Sequence, residues 1–432
     1  MSSQKLSLAS AILVNVNIML GSGIFINTVL LAENTGSLGA ATYAMVGIII
    51  LPLILSISKL FQLTTDGGTF YHFGNIVSPF LGFISSFSYF IAKLASSALG
   101  IHVCVSLVQQ IIPTFARFDT LTIDCCVIIF FTLLNTLHLK LGRSIQLTFM
   151  GLKLIPLFFA IFVGLYLFSG TNFTLESLKY AGIPFTIPLV TFAFCGFEAS
   201  CSLSNSIENS EKNGPRAILI SYLLVLVLVC LYQLSFFAAL GTQLGALASY
   251  LHAFPTLLQK LSGPNAALPL QALLHLGIAA SALGASYGIL YSNSWNLFTL
   301  ATHKHLPGGQ FFTALNRFNM PFMCVLTEGI LCLLYIFLTR GSQVPLQQVG
   351  ALGSIIAYTC SIIALIFYTY KTDKNVSSLS LLGLTSCLVL VGSFIWGIYA
   401  KGISSLLITF LILLTIGIAL FLRQRSTNLE RH

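Results

Sequence analysis

Charge is what this sequence lacks most. Only 7% of its 432 residues are Asp, Glu, Lys or Arg, and just 11 are acidic, whereas a soluble domain carries about 25% charged residues. A single water-soluble core is excluded, because chains of this size split into domains and keep polar surfaces. No Gly-x-x-x-x-Gly-Lys-Ser/Thr run is present, so neither a phosphate-cradling loop nor ATP-driven pumping is expected. The ten cysteines form no Cys-x-x-Cys and no Cys/His metal spacing. They read as small buried apolar residues, and no metal or cofactor is expected. Lys/Arg clusters long enough to track a phosphate backbone are missing too, so the net charge of +9 does not point to nucleic acid. Ser/His/Asp sets and paired carboxylates in register are likewise lacking, which argues against an enzyme.

What the chain has is apolar length. Hydrophobic residues make up 56% and mean hydropathy is +0.93. About 20 apolar residues carry a helix across a bilayer, and runs of that length recur. Helices are expected at about 8–32, 38–61, 80–112, 121–138, 145–168, 185–204, 217–241, 270–301, 321–339, 348–370, 379–400 and 402–422. That is an all-α polytopic membrane protein with the lipid bilayer as its solvent. The first apolar segment runs past residue 30, too long for a cleavable signal. Connections are short, the longest about 28 residues (242–269), so one membrane domain, 1–432, is expected.

An even helix count puts both termini on one side. With the termini inside, cytoplasmic segments hold Lys5, Lys59, Lys140, Arg143, Lys212, Arg216, Lys304, Arg317, Lys371, Lys374, Arg423, Arg425 and Arg431; the other side holds Arg117, Lys179, Lys260, Arg340 and Lys401. Thirteen against five places the termini in the cytoplasm.

Two helices carry an interruption. Gly21-Ser22-Gly23 sits mid-way in the first, and Cys195-Gly196-Phe197-Glu198 in the sixth. Glycines cost helix stability, and freed backbone groups in a bilayer need partners. Such a break presents a half-helix N-terminus suited to a carboxylate; the other reading is a glycine seam for packing. The pairing of breaks in helices one and six favours a binding site between inverted repeats.

Several segments in order resemble the amino acid–polyamine–organocation (APC) permease family. They are Asn17 to Phe25, Gly67 to Tyr71, Pro79 to Phe83, Asn135 to Gly142 with Gln146 and Lys153, Phe194 to Glu198, Asn213 to Ile218, Leu306-Pro307 and Pro321. The likeness covers about residues 6–370 and is nearest to bacterial arginine/agmatine antiporters. It implies a LeuT-like five-plus-five inverted repeat (about 8–168 and 185–370) with two further helices (379–422), in a cell inner membrane. It implies exchange or uptake of an amino acid or related amine, and allows a homodimer. The substrate carboxylate would meet Ser22 and Gly23, with Ile24 beside them. The amino group would meet carbonyls near Met19, Phe192 and Cys195, with Phe192 closing above. Leu20 makes the segment before Gly21 one residue longer than in those antiporters. Phe192 replaces their gating tryptophan, and Ile289 an aromatic of helix eight. A non-transporting amino acid sensor on the same fold is the alternative, disfavoured by the lack of a signalling domain.

Four ionisable residues fall inside expected helices: Lys93, Lys153, Glu198 and Glu328. Each costs about 2.5–3.5 kcal/mol at the bilayer centre unless it faces protein or water. Glu328 reads as structural. Glu198, next to the break, suits either a proton or gating site or a carboxyl that bonds unwound backbone. Lys153 resembles a lysine that stands in for sodium in sodium-independent relatives, bracing helices one and eight; proton transfer is the other role open to it. Tyr89, Lys93 and Ser97 recur at i, i+4 and i+8, one helical face, which by resemblance lines the side-chain pocket. A free Lys93 ammonium about 20 Å along its helix would repel a cationic side chain by about 4 kcal/mol at 4 Å with an effective dielectric of 20, so a neutral or anionic substrate is expected, not arginine or agmatine. Pairing with Glu198, or neutrality through burial, is the competing state. His303-x-His305 reads as a solvated loop, without the carboxylate or cysteine a metal site needs.

Overall fold

The computed structural model describes residues 6–63, 69–137, 143–202, 207–263 and 268–429. Lys5, Gly67, Gly68, Lys140, Gly142 and Arg431 lie outside them, as do the side chains of Arg143 and Gln146. Among the described residues seventeen α-helices follow one another: α1 (Leu8–Met19), α2 (Ser22–Thr35), α3 (Gly39–Leu63), α4 (Phe70–Asn75), α5 (Pro79–Ile111), α6 (Thr120–Asn135), α7 (Arg143–Tyr166), α8 (Ile183–Phe194), α9 (Ala199–Ser202), α10 (Ser210–Leu240), α11 (Ala253–Ser262), α12 (Leu268–Thr302), α13 (Gly309–Thr313), α14 (Phe322–Thr339), α15 (Gln343–Asp373), α16 (Ser378–Lys401) and α17 (Ser405–Leu429). Among the described residues nine helices are long and apolar enough to cross a membrane, or ten with α1 and α2 taken as one span bent by 44°. Two shorter apolar helices, Thr120–Asn135 and Gly151–Tyr166, accompany them. No strand occurs among the described residues, only isolated bridges such as Leu6 with Ile207.

Local chemistry sets the ends. Ser78 caps α5, its hydroxyl accepting from Leu81 N–H at 3.2 Å, with Pro79 in the first turn where its missing donor costs nothing. Asp119 caps α6 in the same way through Thr122 N–H at 3.3 Å. Helix α10 begins at Ser210, where the polar run around Lys212, Pro215 and Arg216 had suggested a start near 217. A polar first turn reads as loop in hydropathy but projects beyond the apolar slab. The long connection 242–269 also differs from expectation, since it carries the amphipathic α11, which buries Phe254, Leu257 and Leu258.

Helix α5 occupies the centre and packs along α12 and α15. Close approach depends on small residues: a Cβ at Gly100 would lie 3.0 Å from the Ala282 carbonyl oxygen of α12. Side-chain amides stitch the interior, Asn27 donating to Leu189 O at 2.9 Å and accepting from Gln347 Nε2 at 2.8 Å. In a bilayer each such group must find its partner inside the protein. The broken pairs meet here, α2 against α8 and α1 against α9.

Candidate functional site

The first break is a two-residue step. Helix α1 stops at Met19, Leu20 turns out at φ −75° and ψ 51°, and Gly21 is extended before α2 starts at Ser22. Ending a helix strands its last carbonyls. Lys153 answers two of them, its Nζ donating to Asn17 O at 2.6 Å and Leu20 O at 3.1 Å. Ser281 of α12 donates to the same Leu20 oxygen at 3.1 Å. Helix one is thus held from α7 by Lys153 and from α12 by Ser281; the hydrogen bonds of Lys153 go to helix one, and the link to α12 is made by the serine. A cation at a helix C-terminus also opposes the macrodipole. The opposite end of the break is open: among the described residues no side chain caps α2, and helix geometry leaves its first N–H groups, at Ser22 and Gly23, without partners inside the helix.

The second break faces the first. Helix α8 ends at Phe194, Cys195 is extended, and Gly196 adopts φ 120°, a region that L side chains rarely enter. A Cβ there would sit 2.8 Å from Ile18 Cγ2 and 3.2 Å from Met19 N, so glycine also lets the breaks touch. Glu198 folds back, Oε2 accepting from Gly196 N–H at 2.8 Å. Its Oε1 accepts from Tyr89 Oη at 2.8 Å and lies 3.1 Å from Lys93 Nζ. Asn15 of α1 completes the splice, accepting from Ser200 N–H at 3.0 Å and Oγ at 2.8 Å.

Between the breaks lies a narrow, partly open cavity of about 40 Å³ lined by Ile18, Met19, Gly21, Ser22, Gly23, Lys93, Ser96, Gly100, Phe192, Ala193, Cys195, Ala282, Ala285, Ser286 and Ile289. Phe192 is wedged over it: a Cβ at Gly23 would come within 3.3 Å of its ring, and one at Gly350 within 2.8 Å. Of the expected residues, Met19, Ser22, Gly23, Lys93, Phe192 and Cys195 stand on the wall. Ile24, Tyr89, Ser97 and Glu198 do not.

Two expectations need correction. The Lys93 ammonium is not free, because it is paired with Glu198 and lies 4.8 Å over the Tyr89 ring. The repulsion of about 4 kcal/mol assumed an uncompensated charge, and the pair is neutral as a unit. The helical face also differs. Lys93, Ser96 and Gly100 (i, i+3, i+7) line the cavity, while Ser97 is fully buried with its hydroxyl unpartnered among the described residues. A 3.6-residue repeat permits either stripe, and the packing of α12 and α15 on α5 selects one.

The wall from α12 was missed apart from Ile289. Ala282, Ala285, Ser286 and Ile289 fall at i, i+3, i+4 and i+7, a stripe of mostly small residues that periodicity could have found. Asp124 was missed as well: completely buried, it accepts from His102 Nδ1 at 2.7 Å, away from the cavity. Glu328 is only 1% exposed on α14 and also stands off the cavity. His305 is half-buried rather than solvated, its Nε2 2.8 Å from Tyr71 Oη. Burial, then neighbouring His303, lowers its pKa from 6.5 to about 4. No group of His, Cys, Asp or Glu among the described residues could hold a metal ion.

The sequence has relatives. The chain is 23% identical over 351 residues to the b(0,+)-type amino acid transporter 1 of Homo sapiens, an overlap of 77% of this chain and 70% of that one. It is 26% identical over 325 residues to the Asc-type amino acid transporter 1 of Mus musculus, covering 70% and 59%. An uncharacterised protein of Methanocaldococcus jannaschii matches at 24% over 416 residues, covering 86% and 91%. A family model described as amino acid permease takes in residues 6–430. The chain therefore belongs to the amino acid permease family of the APC superfamily and is an integral, multi-pass membrane protein.

Proposed function

We infer that this permease is a secondary transporter that carries an amino acid or related amine across the membrane by alternating access. One observation carries the reading: the cavity lies between two helix breaks, with the uncapped N–H groups of α2 on its wall. A carboxylate fits there, since orphan donors and the positive dipole end both favour an anion. The amino group then meets carbonyls near Met19, Phe192 and Cys195, and the Phe192 ring closes above. The two named relatives are amino acid transporters, which supports an amino acid as the cargo.

The transport domain spans 1–432. Nine long helices, the bent pair and the two shorter apolar helices make twelve spans. Two inverted repeats (about 8–168 and 185–370) precede two further helices (379–422), and each repeat opens with a broken helix. The excess of Lys and Arg in the segments between alternate helices supports cytoplasmic termini in a cell inner membrane. Sodium is dispensable on this reading, because the Lys153 ammonium already sits among carbonyls that would otherwise call for a bound cation.

A thermal-shift screen of the twenty amino acids and polyamines, followed by uptake of the hits into proteoliposomes, tests the proposal. Saturable uptake, equal in sodium and choline buffers, is expected. Binding with no uptake would replace transport with sensing.

A further inference from the structure

Lys93 and Glu198 bond across 105 positions of sequence (198 minus 93), and only one of them touches the cavity. Glu198 is 1% exposed and sits behind the wall, gripped by Tyr89 Oη and Gly196 N–H. Lys93 lines the cavity while its Nζ lies 3.1 Å from that carboxylate, and so forms the partition between them. No other ionised side chain stands on the described wall, whose α12 side is Ala282, Ala285, Ser286 and Ile289. A substrate side chain therefore meets an ammonium whose charge is already answered from behind. It finds no free anion.

We propose that Lys93 is a built-in stand-in for a substrate cation: it fills a subsite ending at Glu198 and excludes ammonium and guanidinium side chains. The proposal rests on the cavity being the substrate site. It assigns selectivity to the lysine stem together with the carboxylate it conceals. Truncating the stem removes the partition and leaves a buried carboxylate without its cation, a state that is strongly disfavoured unless another cation enters. The site then accepts what it formerly refused.

The experiment is competition against a labelled neutral amino acid on the purified full-length protein, with arginine and ornithine as probes. In the wild type both should compete at least about tenfold more weakly than the best neutral amino acid, a gap of about 1.4 kcal/mol. In Lys93→Ala both should improve by at least about tenfold, and Lys93→Ala combined with Glu198→Gln should lose that gain. Arginine competing as well as neutral substrates in the wild type overturns the proposal. So does a Lys93→Ala protein that still binds a neutral amino acid yet gains nothing for ornithine. Should Lys93→Ala not fold, the wild-type comparison decides alone. A wild type that binds no amino acid at all would instead remove the transport reading on which the proposal stands.

Discussion

The two helix breaks solve the same problem with opposite charges. At the first, the groups left without partners near the protein interior are carbonyls, and a lysine supplies donors to Asn17 and Leu20. At the second, a backbone N–H needs an acceptor, and a glutamate bonds Gly196. Lys153 comes from a separate helix, α7, whereas Glu198 belongs to the broken segment itself and needs Lys93 and Tyr89 from α5 to balance it. The first break is held by a brace and keeps its N–H end open. The second is closed on itself. At each break the ionised residue is thus matched in sign to the backbone groups that the break strands.

Removing the acid should break the comparison most severely. Glu198→Ala leaves Lys93 buried without its partner, which costs about 3–5 kcal/mol. Glu198→Gln should cost less, because its amide oxygen still accepts from Gly196. Thermal unfolding in a fixed detergent should rank the wild type above Gln and Gln above Ala. Equal melting of the three would mean that the carboxylate does not hold the break.

Lys153→Met comes next. It forfeits two hydrogen bonds to backbone carbonyls but strands no buried charge, and Ser281 continues to serve Leu20. A clear loss of melting temperature is expected, smaller than that of Glu198→Ala. A sodium-dependent recovery of stability in this variant would sharpen the contrast, since the vacated carbonyls suit a small cation.

Gly196→Ala should be mildest, at about 2 kcal/mol for an L residue at φ 120°. The added methyl also presses on Ile18 and Met19, so transport should fall more than stability. Melting and uptake measured on one preparation separate the two effects.

Much of this was legible in sequence because the bilayer imposes simple rules. Apolar runs marked the helices, and glycines beside Ser22 and Glu198 marked the breaks. Lys93, Lys153 and Glu198 stood out because charge is rare here. What stayed hidden depends on partners distant in sequence. Helical periodicity cannot decide between Ser96 and Ser97, since that choice belongs to the helices packed on α5. The Lys93–Glu198 bond could be named as an alternative but not chosen, because two charges on separate helices carry no mark of their separation. Asp124 passed unnoticed near a helix start, where an acidic residue is ordinary; its bond to His102 gives it another role.

The central claim is that the space between the breaks is where substrate sits. The direct measurement is alkylation of Ala285→Cys in a cysteine-free background, with and without the amino acid found by screening. Ala285 lines the cavity on α12 beside the first break, its Cβ 3.8 Å from where a Cβ at Gly21 would sit. The account expects labelling that substrate slows in a saturable manner, at concentrations matching its half-maximal uptake. Labelling at the same rate under saturating substrate, in a variant that still transports, would contradict it.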